Sequence, residues 1–264
     1  MQKLWYLFST LKPSGALHSH VALWIGIILY SNSVKNVWAF ILALLAFLVF
    51  YGALYAMNDI ADYELDMKDE NNKDRVIASG LVTREQVLLF IVPLWLITLG
   101  LMYNYSVKLA GLALILWGIN VLYSFWIKKI AYLDILFISF TQPLKYFVAL
   151  FLCGVTVPAF ANAFPFFLFI YLIAVSLHAR KQFGKLSSKS RRTFIIGKYT
   201  PASLTLLGDS FFLLSIISLV FLVGKQEFLW SFGILIVGVV LRYVLSAKGA
   251  VALMTRLGSI FQPR

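Results

Sequence analysis

Along the chain, polar positions thin out into eight apolar stretches, at roughly 17–33, 37–57, 85–104, 107–127, 131–153, 162–179, 204–224 and 228–246. Each is close to the about 20 residues that a helix needs to cross a bilayer. The connections are short except for 58–84 and 180–203, and loops of that length in a compact domain are usually functional or carry structure of their own. The pattern predicts an all-α, polytopic membrane helix bundle of about eight transmembrane helices, a single integral-membrane domain over 1–264. The tail, 247–264, is too short and too basic for a confident ninth span. It reads as an interfacial helix with Val251, Leu253, Met254, Leu257 and Ile260 as its apolar face. Met1–Lys12 mixes aromatic and polar residues without a cleavage site behind a short apolar core, so the first stretch reads as a retained span.

Composition sharpens this picture. The chain is 61% hydrophobic and 13% charged, against about 45–50% and about 25% in soluble domains. A water-soluble fold has no surface for so much apolar area. A soluble enzyme, a disordered chain and a nucleic-acid-binding domain are therefore excluded, despite the net charge of +12. The single cysteine, Cys153, excludes a disulfide scaffold and a cysteine-based metal cluster.

The charge is distributed unevenly. With the N-terminus placed in the cytoplasm, 19 of the 23 Lys and Arg residues fall on that side. They lie in the N-terminal segment, after spans two, four and six, and at the C-terminal end. Lys35, Lys108 and Lys225 fall on the other side, and Lys145 lies inside span five. The positive-inside rule then puts both termini and both long loops in the cytoplasm.

Acids are concentrated instead. Eight of the 11 Asp and Glu residues lie between Asp59 and Glu85. Asp59, Asp62 and Asp66 are spaced i, i+3, i+7, which on a helix places them on one face, joined by Asn58 four residues before Asp62. Three carboxylates and an amide carbonyl on one face repel unless a cation sits among them. All-oxygen ligation suits a hard cation, and Mg²⁺ commonly combines one or two carboxylates with substrate phosphate oxygens. Asn58, Asp59, Asp62 and Asp66 are thus candidate Mg²⁺ ligands in a diphosphate site at the cytoplasmic mouth. The competing reading, a solvated acidic loop neutralised by Lys68, Lys73 and Arg75, fits poorly with the helical spacing and the scarcity of acids elsewhere.

The string Asn58-Asp59-x-x-Asp62-x-x-x-Asp66 at the end of the second span resembles the first signature of the UbiA superfamily of intramembrane prenyltransferases. Lys73-Asp74-Arg75-Val76-Ile77-Ala78-Ser79-Gly80 is similar to that family's continuation, with Val76 in place of a proline. The family's second aspartate-rich motif, after span six, is missing: 180–203 contains no acid. One branch lacks that motif, the decaprenyl-phosphate phosphoribosyltransferases, and several stretches resemble it. They are Tyr123-Ser124-Phe125-Trp126-Ile127-Lys128-Lys129 with Leu133-Asp134-Ile135, the positions Lys181, Leu186, Tyr199, Thr200 and Leu204, and Leu241-Arg242-Tyr243. The chain departs from that branch at its opening, where Lys12-Pro13 is followed by SGALHSH. It departs again at Lys145, where an arginine is expected, at Gln182 and Lys185, and in the reduced or missing ninth helix.

The resemblance implies a Mg²⁺-dependent transferase acting on a diphosphate donor. The implied reaction is transfer of phosphoribosyl from phosphoribosyl diphosphate to a polyprenyl phosphate, with membrane lipids around it. The alternative is prenyl transfer to an aromatic or quinone-precursor acceptor. Both reactions break a C–O bond to diphosphate through a cation-like transition state, so the acids serve mainly as metal ligands. Asp59, Asp62, Asp66, Tyr123 and Lys128 are the candidate catalytic residues. Asn58, Lys73, Arg75, Lys181, Arg192 and Tyr199 are the candidate substrate contacts, the cationic ones through phosphate oxygens. Positive-inside topology and anionic lipid headgroups account for the same basic residues without a substrate. His18 and His20 are two apart and do not face each other on a helix, so a metal site there is not expected. Asp134 reads as structural, and Asp209 with Lys145 as a conceivable pair within the bundle. A transporter is a third reading, but transporters place charge near the midplane and these acids lie at the cytoplasmic edge.

The orientation is testable. In a Cys153→Ala background, cysteines placed at Ser79 and Ser188 are expected to react with an impermeant maleimide only from the cytoplasmic side; labelling of either from outside would invert the topology.

Overall fold

The computed structural model describes residues 2–12, 20–69 and 72–155, and between 200 and 214 residues 200, 202–203, 206–211 and 213–214. The expected spans 162–179 and 228–246, most of 204–224, and the interfacial tail lie outside the described residues. Every regular element described is a helix: α1 (Gln2–Ser9), α2 (Val21–Tyr30), α3 (Val37–Asp66), α4 (Arg84–Tyr105), α5 (Val107–Phe125) and α6 (Leu133–Cys153), with 3₁₀ turns at Ser31–Ser33 and Ile127–Lys129.

Four of these segments, Val37–Asp66, Arg84–Tyr105, Val107–Lys129 and Leu133–Cys153, are long and apolar enough to cross a membrane. They coincide with the second to fifth apolar stretches of the sequence, and the described part of the first is the shorter α2. The first three of them start at polar caps. Asn36 Oδ1 accepts from the Ala39 N–H at 3.1 Å. Thr83 and Gln86 form a reciprocal capping box, and Ser106 Oγ accepts from the Leu109 N–H. Each cap satisfies a backbone donor that a helix start leaves open. At the end of α6, Gly154 adopts φ 73°, a left-handed stop suited to glycine.

Helix α3 is the axis of the described bundle. It packs against α4, α5 and, less extensively, α6, while α2 packs against α6 and α5 against both α4 and α6. Its inward face carries Ala43, Ala46, Gly52, Ala53 and Ala56, all buried. Small residues let helices approach closely where lipid supplies no hydrophobic drive between them. Phe47 and Phe50 fill the remaining space, and Trp95 Nε1 of α4 donates to the Phe50 carbonyl at 3.2 Å. Outward positions are equally apolar: Ile28, Leu89, Leu96, Ile97 and Val107 are all exposed. Such a surface suits a lipid environment.

The length of α3 decides where its chemistry lies. Thirty residues make a helix of about 45 Å, whereas the hydrocarbon core is about 30 Å thick. The apolar stretch ends near residue 57 and the helix runs on to Asp66. The acidic motif is therefore helical, carried beyond the apolar layer on a rigid extension.

The α2–α6 seam is equally tight. A Cβ on Gly26 would lie 2.6 Å from Ala149 Cβ and 3.2 Å from Tyr146 Cδ2. Gly26→Val is expected to overpack this seam and lower stability by about 1–3 kcal/mol, read as a reduced thermal midpoint in detergent. A midpoint equal to wild type would contradict the packing.

Candidate active site

The C-terminal turns of α3 place three carboxylates in an unfavourable position. Asp59, Asp62 and Asp66 are buried, at 5%, 1% and 1% exposure, and a helix C-terminus carries partial negative charge of its own. The last turn of α3 contains no basic residue. Compensation comes from three segments distant in sequence.

Lys12, just beyond α1, brings its Nζ to 2.8 Å from Asp59 Oδ1. Arg75, in the turns between α3 and α4, uses one nitrogen, Nη1, to reach Asp59 Oδ1 at 3.1 Å and Asp66 Oδ2 at 3.0 Å. Lys128, in the 3₁₀ turn after α5, makes a very short ion pair from Nζ to Asp62 Oδ1. Asn58 Nδ2 donates to the other Asp62 oxygen at 3.2 Å, and its own Oδ1 accepts from Ser124 Oγ of α5 at 3.2 Å. Each of the three carboxylates thus has a cation within ion-pair distance among the described residues.

The helical spacing predicts one nest of carboxylates. The structure divides it in two, with Asp59 and Asp66 bridged by Arg75, and Asp62 held with Asn58 and Lys128. Among the described residues no three His, Cys, Asp or Glu side chains converge as a metal cluster. The helix explains the division. At 100° per residue, Asp66 is offset only about 20° from Asp59, but Asp62 about 60°. The donor set still suits Mg²⁺, which needs only one or two carboxylates when phosphate oxygens complete its shell.

The other candidates are spread around this cluster. Lys73 is exposed, and its backbone N–H donates to the Asp69 carbonyl at 2.9 Å. Tyr123 is half-buried on α5, next to Ser124. Lys181, Arg192 and Tyr199 lie outside the described residues. Asp134 sits in the first turn of α6 and is buried. His20 is buried against the edges of Tyr51 and Phe47, with ring centroids 4.6 and 5.9 Å away. Lys145 is buried with its Nζ 4.3 Å from the Tyr51 ring centroid, whereas Asp209 is exposed.

Three further participants are not among the site residues that the sequence singles out. Lys12 counts there as a topology-setting charge and as part of the divergent Lys12-Pro13 opening, because periodicity along α3 says nothing of a residue 47 positions away. Its position before Pro13 at the membrane edge is the only local signal. Ser124 has no charge to mark it. Asp69 is buried and accepts from Asn72 Nδ2 at 2.8 Å, which ties down the turns that carry Arg75.

Comparison with known proteins adds to this geometry. The model of the UbiA prenyltransferase family matches residues 19–257. A comparison with curated protein sequences finds no significant match. Among solved structures, one concerning digeranylgeranylglyceryl phosphate synthase in membranes superposes with a TM-score of 0.73 at 18% identity, covering 98% of this chain and 95% of the other. A UbiA homologue from Archaeoglobus fulgidus, bound to DMAPP and Mg²⁺, superposes with a TM-score of 0.70 at 16% identity, covering 94% and 88%. Both share the fold.

The ion pairs yield a stability prediction. Lys128→Met removes the cation paired with the Asp62 carboxylate and is expected to cost up to about 3–5 kcal/mol, the range for removing one partner of a buried pair. Adding Asp62→Asn should recover much of the loss in a double-mutant cycle on thermal unfolding. Strictly additive losses would show that the pair is not coupled.

Proposed function

The chain belongs to the UbiA prenyltransferase family, and from that premise we propose that it is an integral-membrane, Mg²⁺-dependent transferase that draws on a diphosphate donor at the Asp59–Asp62–Asp66 cluster. The whole of 1–264 forms one transferase domain, with both termini and the site in the cytoplasm. The observation that carries this reading is the matched set of three carboxylates and three cations at one end of α3.

The charges suit an exchange of partners. Asp59, Asp62 and Asp66, with Asn58, would hold Mg²⁺. Lys12, Arg75 and Lys128 would then turn to the diphosphate oxygens, Arg75 through its planar guanidinium and the lysines as point charges. When bound, Mg²⁺ supplies neutralisation of the negative charge that grows on the leaving diphosphate. The C–O bond to diphosphate breaks with its electron pair going to the departing oxygen. The same cations favour that state over the intact donor, which is the requirement for catalysis. Tyr123, beside the Asn58–Ser124 bond, stands ready to orient the donor.

For the donor we favour phosphoribosyl diphosphate, with a polyprenyl phosphate as acceptor. An oxygen of the lipid phosphate attacks the anomeric carbon as diphosphate leaves. Support comes from 180–203, where Lys181, Arg192 and Tyr199 accompany five further Lys and Arg residues, Lys198 included, and no acid. Carboxylates there would repel the ribose 5-phosphate. A second reading, prenyl transfer to an aromatic or quinone-precursor acceptor, is favoured by the relative that binds DMAPP and Mg²⁺.

Asp59→Asn, Asp62→Asn and Asp66→Asn are each expected to lower turnover by roughly 10²–10³-fold, the scale of losing one electrostatic element of a site, with helix content unchanged. EDTA should abolish turnover reversibly. Full activity after metal removal would overturn the mechanism. Diphosphate release from purified protein, measured with each donor and acceptor, decides the substrate. Turnover of a prenyl diphosphate with a non-phosphorylated aromatic acceptor, and none with phosphoribosyl diphosphate, would select the second reading.

A further inference from the structure

The N-terminal segment reaches the carboxylate cluster by a tightly held path. Helix α1 rests on α4 through the edge-on pair Phe8–Phe90, with centroids 5.4 Å apart. Beyond it, the N–H groups of Thr10, Leu11 and Lys12 donate to the carbonyls of Leu7, Phe8 and Ser9 at 3.2, 3.1 and 3.2 Å. Lys12 then adopts φ 49°, in the left-handed region. A residue with a Cβ seldom occupies that region, and it persists where the surroundings over-determine it, often at functional sites.

Helix α3 supplies those surroundings at Gly52. A Cβ there would stand 3.0 Å from the Leu11 carbonyl oxygen, 3.2 Å from Leu11 Cβ and 3.6 Å from Leu11 Cα. Both Leu11 and Gly52 are buried. Alanine is favoured over glycine inside a helix, so the glycine is a cost to α3 itself. What the missing side chain provides is room for the Leu11 backbone. Gly52 lies seven residues before Asp59, two turns back on nearly the same face. The chain seated at Gly52 therefore emerges beside Asp59, where Lys12 Nζ makes its 2.8 Å contact.

We propose that Gly52 is a positioning residue for donor binding: the notch it leaves in α3 seats Leu11, and that seat holds Lys12 where it meets the donor's diphosphate. The inference rests on the reading of the cluster as a diphosphate site and assigns to the N-terminal segment a part in recognising the donor. Gly52 touches no substrate; it acts through Lys12. An ordinary packing glycine would affect assembly of the bundle, whereas this one controls affinity for diphosphate.

The test uses the full chain in detergent, with pyrophosphate in the presence of Mg²⁺ as the calorimetric probe. Lys12→Gln is expected to weaken pyrophosphate binding roughly tenfold, the lower end for a hydrogen bond to a charged group. Gly52→Val should weaken it by a similar factor, and Gly52→Ala by roughly threefold, since a single added carbon displaces Leu11 less. In the Lys12→Gln background either Gly52 substitution should add less than about twofold, because no cation remains to be positioned. Losses that multiply in the double variants would overturn the proposal.

A second measurement needs no ligand. The rate at which an amine reagent modifies Lys12, referenced to the exposed Lys68, should rise in Gly52→Ala and more in Gly52→Val; an unchanged rate would also overturn it. Gly52→Ala, which suits a helix, keeps both measurements available if the valine variant does not assemble. Should the wild type bind no pyrophosphate with Mg²⁺, the diphosphate reading of the cluster fails, and with it the assigned role of Lys12. The labelling rates then still decide whether Gly52 seats the segment.

Discussion

Three buried carboxylates at the negative end of a helix set the terms for the rest of this structure. Asp59, Asp62 and Asp66 lie where the α3 dipole opposes them and little solvent reaches them. A carboxylate in such a place is tolerated only with a cation and further hydrogen bonds around it. Lys12, Arg75 and Lys128 meet that requirement, and they come from the N-terminal segment, the α3–α4 connection and the α5–α6 connection. Charge compensation therefore does more than neutralise α3. It gathers three otherwise independent segments at one end of the bundle and fixes their relation to one another.

Packing and membrane geometry put this end where it can act. The small residues of α3 bring the neighbouring helices close, and the surplus length of α3 lifts the carboxylates past the apolar layer. Below them on the same helix, Tyr55, Tyr51 and Phe47 form an edge-to-face and tilted series, with His20 against Tyr51 and Lys145 over its ring.

An ion-paired cluster is also poised for exchange. With the cations holding the carboxylates, neither set is stranded before a substrate arrives. In the mechanism proposed above, a dication and a diphosphate entering together would take over both sets of partners, the dication offsetting part of the diphosphate charge. Either alone would leave one set uncompensated in a site of low polarizability, where uncompensated charge is costly. The proposed mechanism redirects to the leaving group the same pairs that compensate the α3 carboxylates.

Much of this was legible along the chain. The spans that became α3 to α6 followed from runs of apolar residues, because lipid permits only helices with satisfied backbones there and their length is fixed by bilayer thickness. The acidic face was legible because α3 is one continuous helix, so spacing in sequence is direction in space. Arg75 and Lys128 stood in the motifs that the sequence singled out, and the structure pairs them with the α3 carboxylates. Other features were decided only by tertiary structure. The partnership of Lys12 with Asp59 crosses 47 residues, Ser124 meets Asn58 across 66, and no local period encodes such distances. Nor could spacing foretell that Arg75 would join Asp59 to Asp66 and leave Asp62 to Lys128, since that division depends on where two connections return to the helix. The role of Gly52 was hidden for the same reason. A glycine in an apolar run has no chemistry of its own, and it becomes informative only when another stretch of backbone, here Leu11, is seen to occupy the space its side chain would fill.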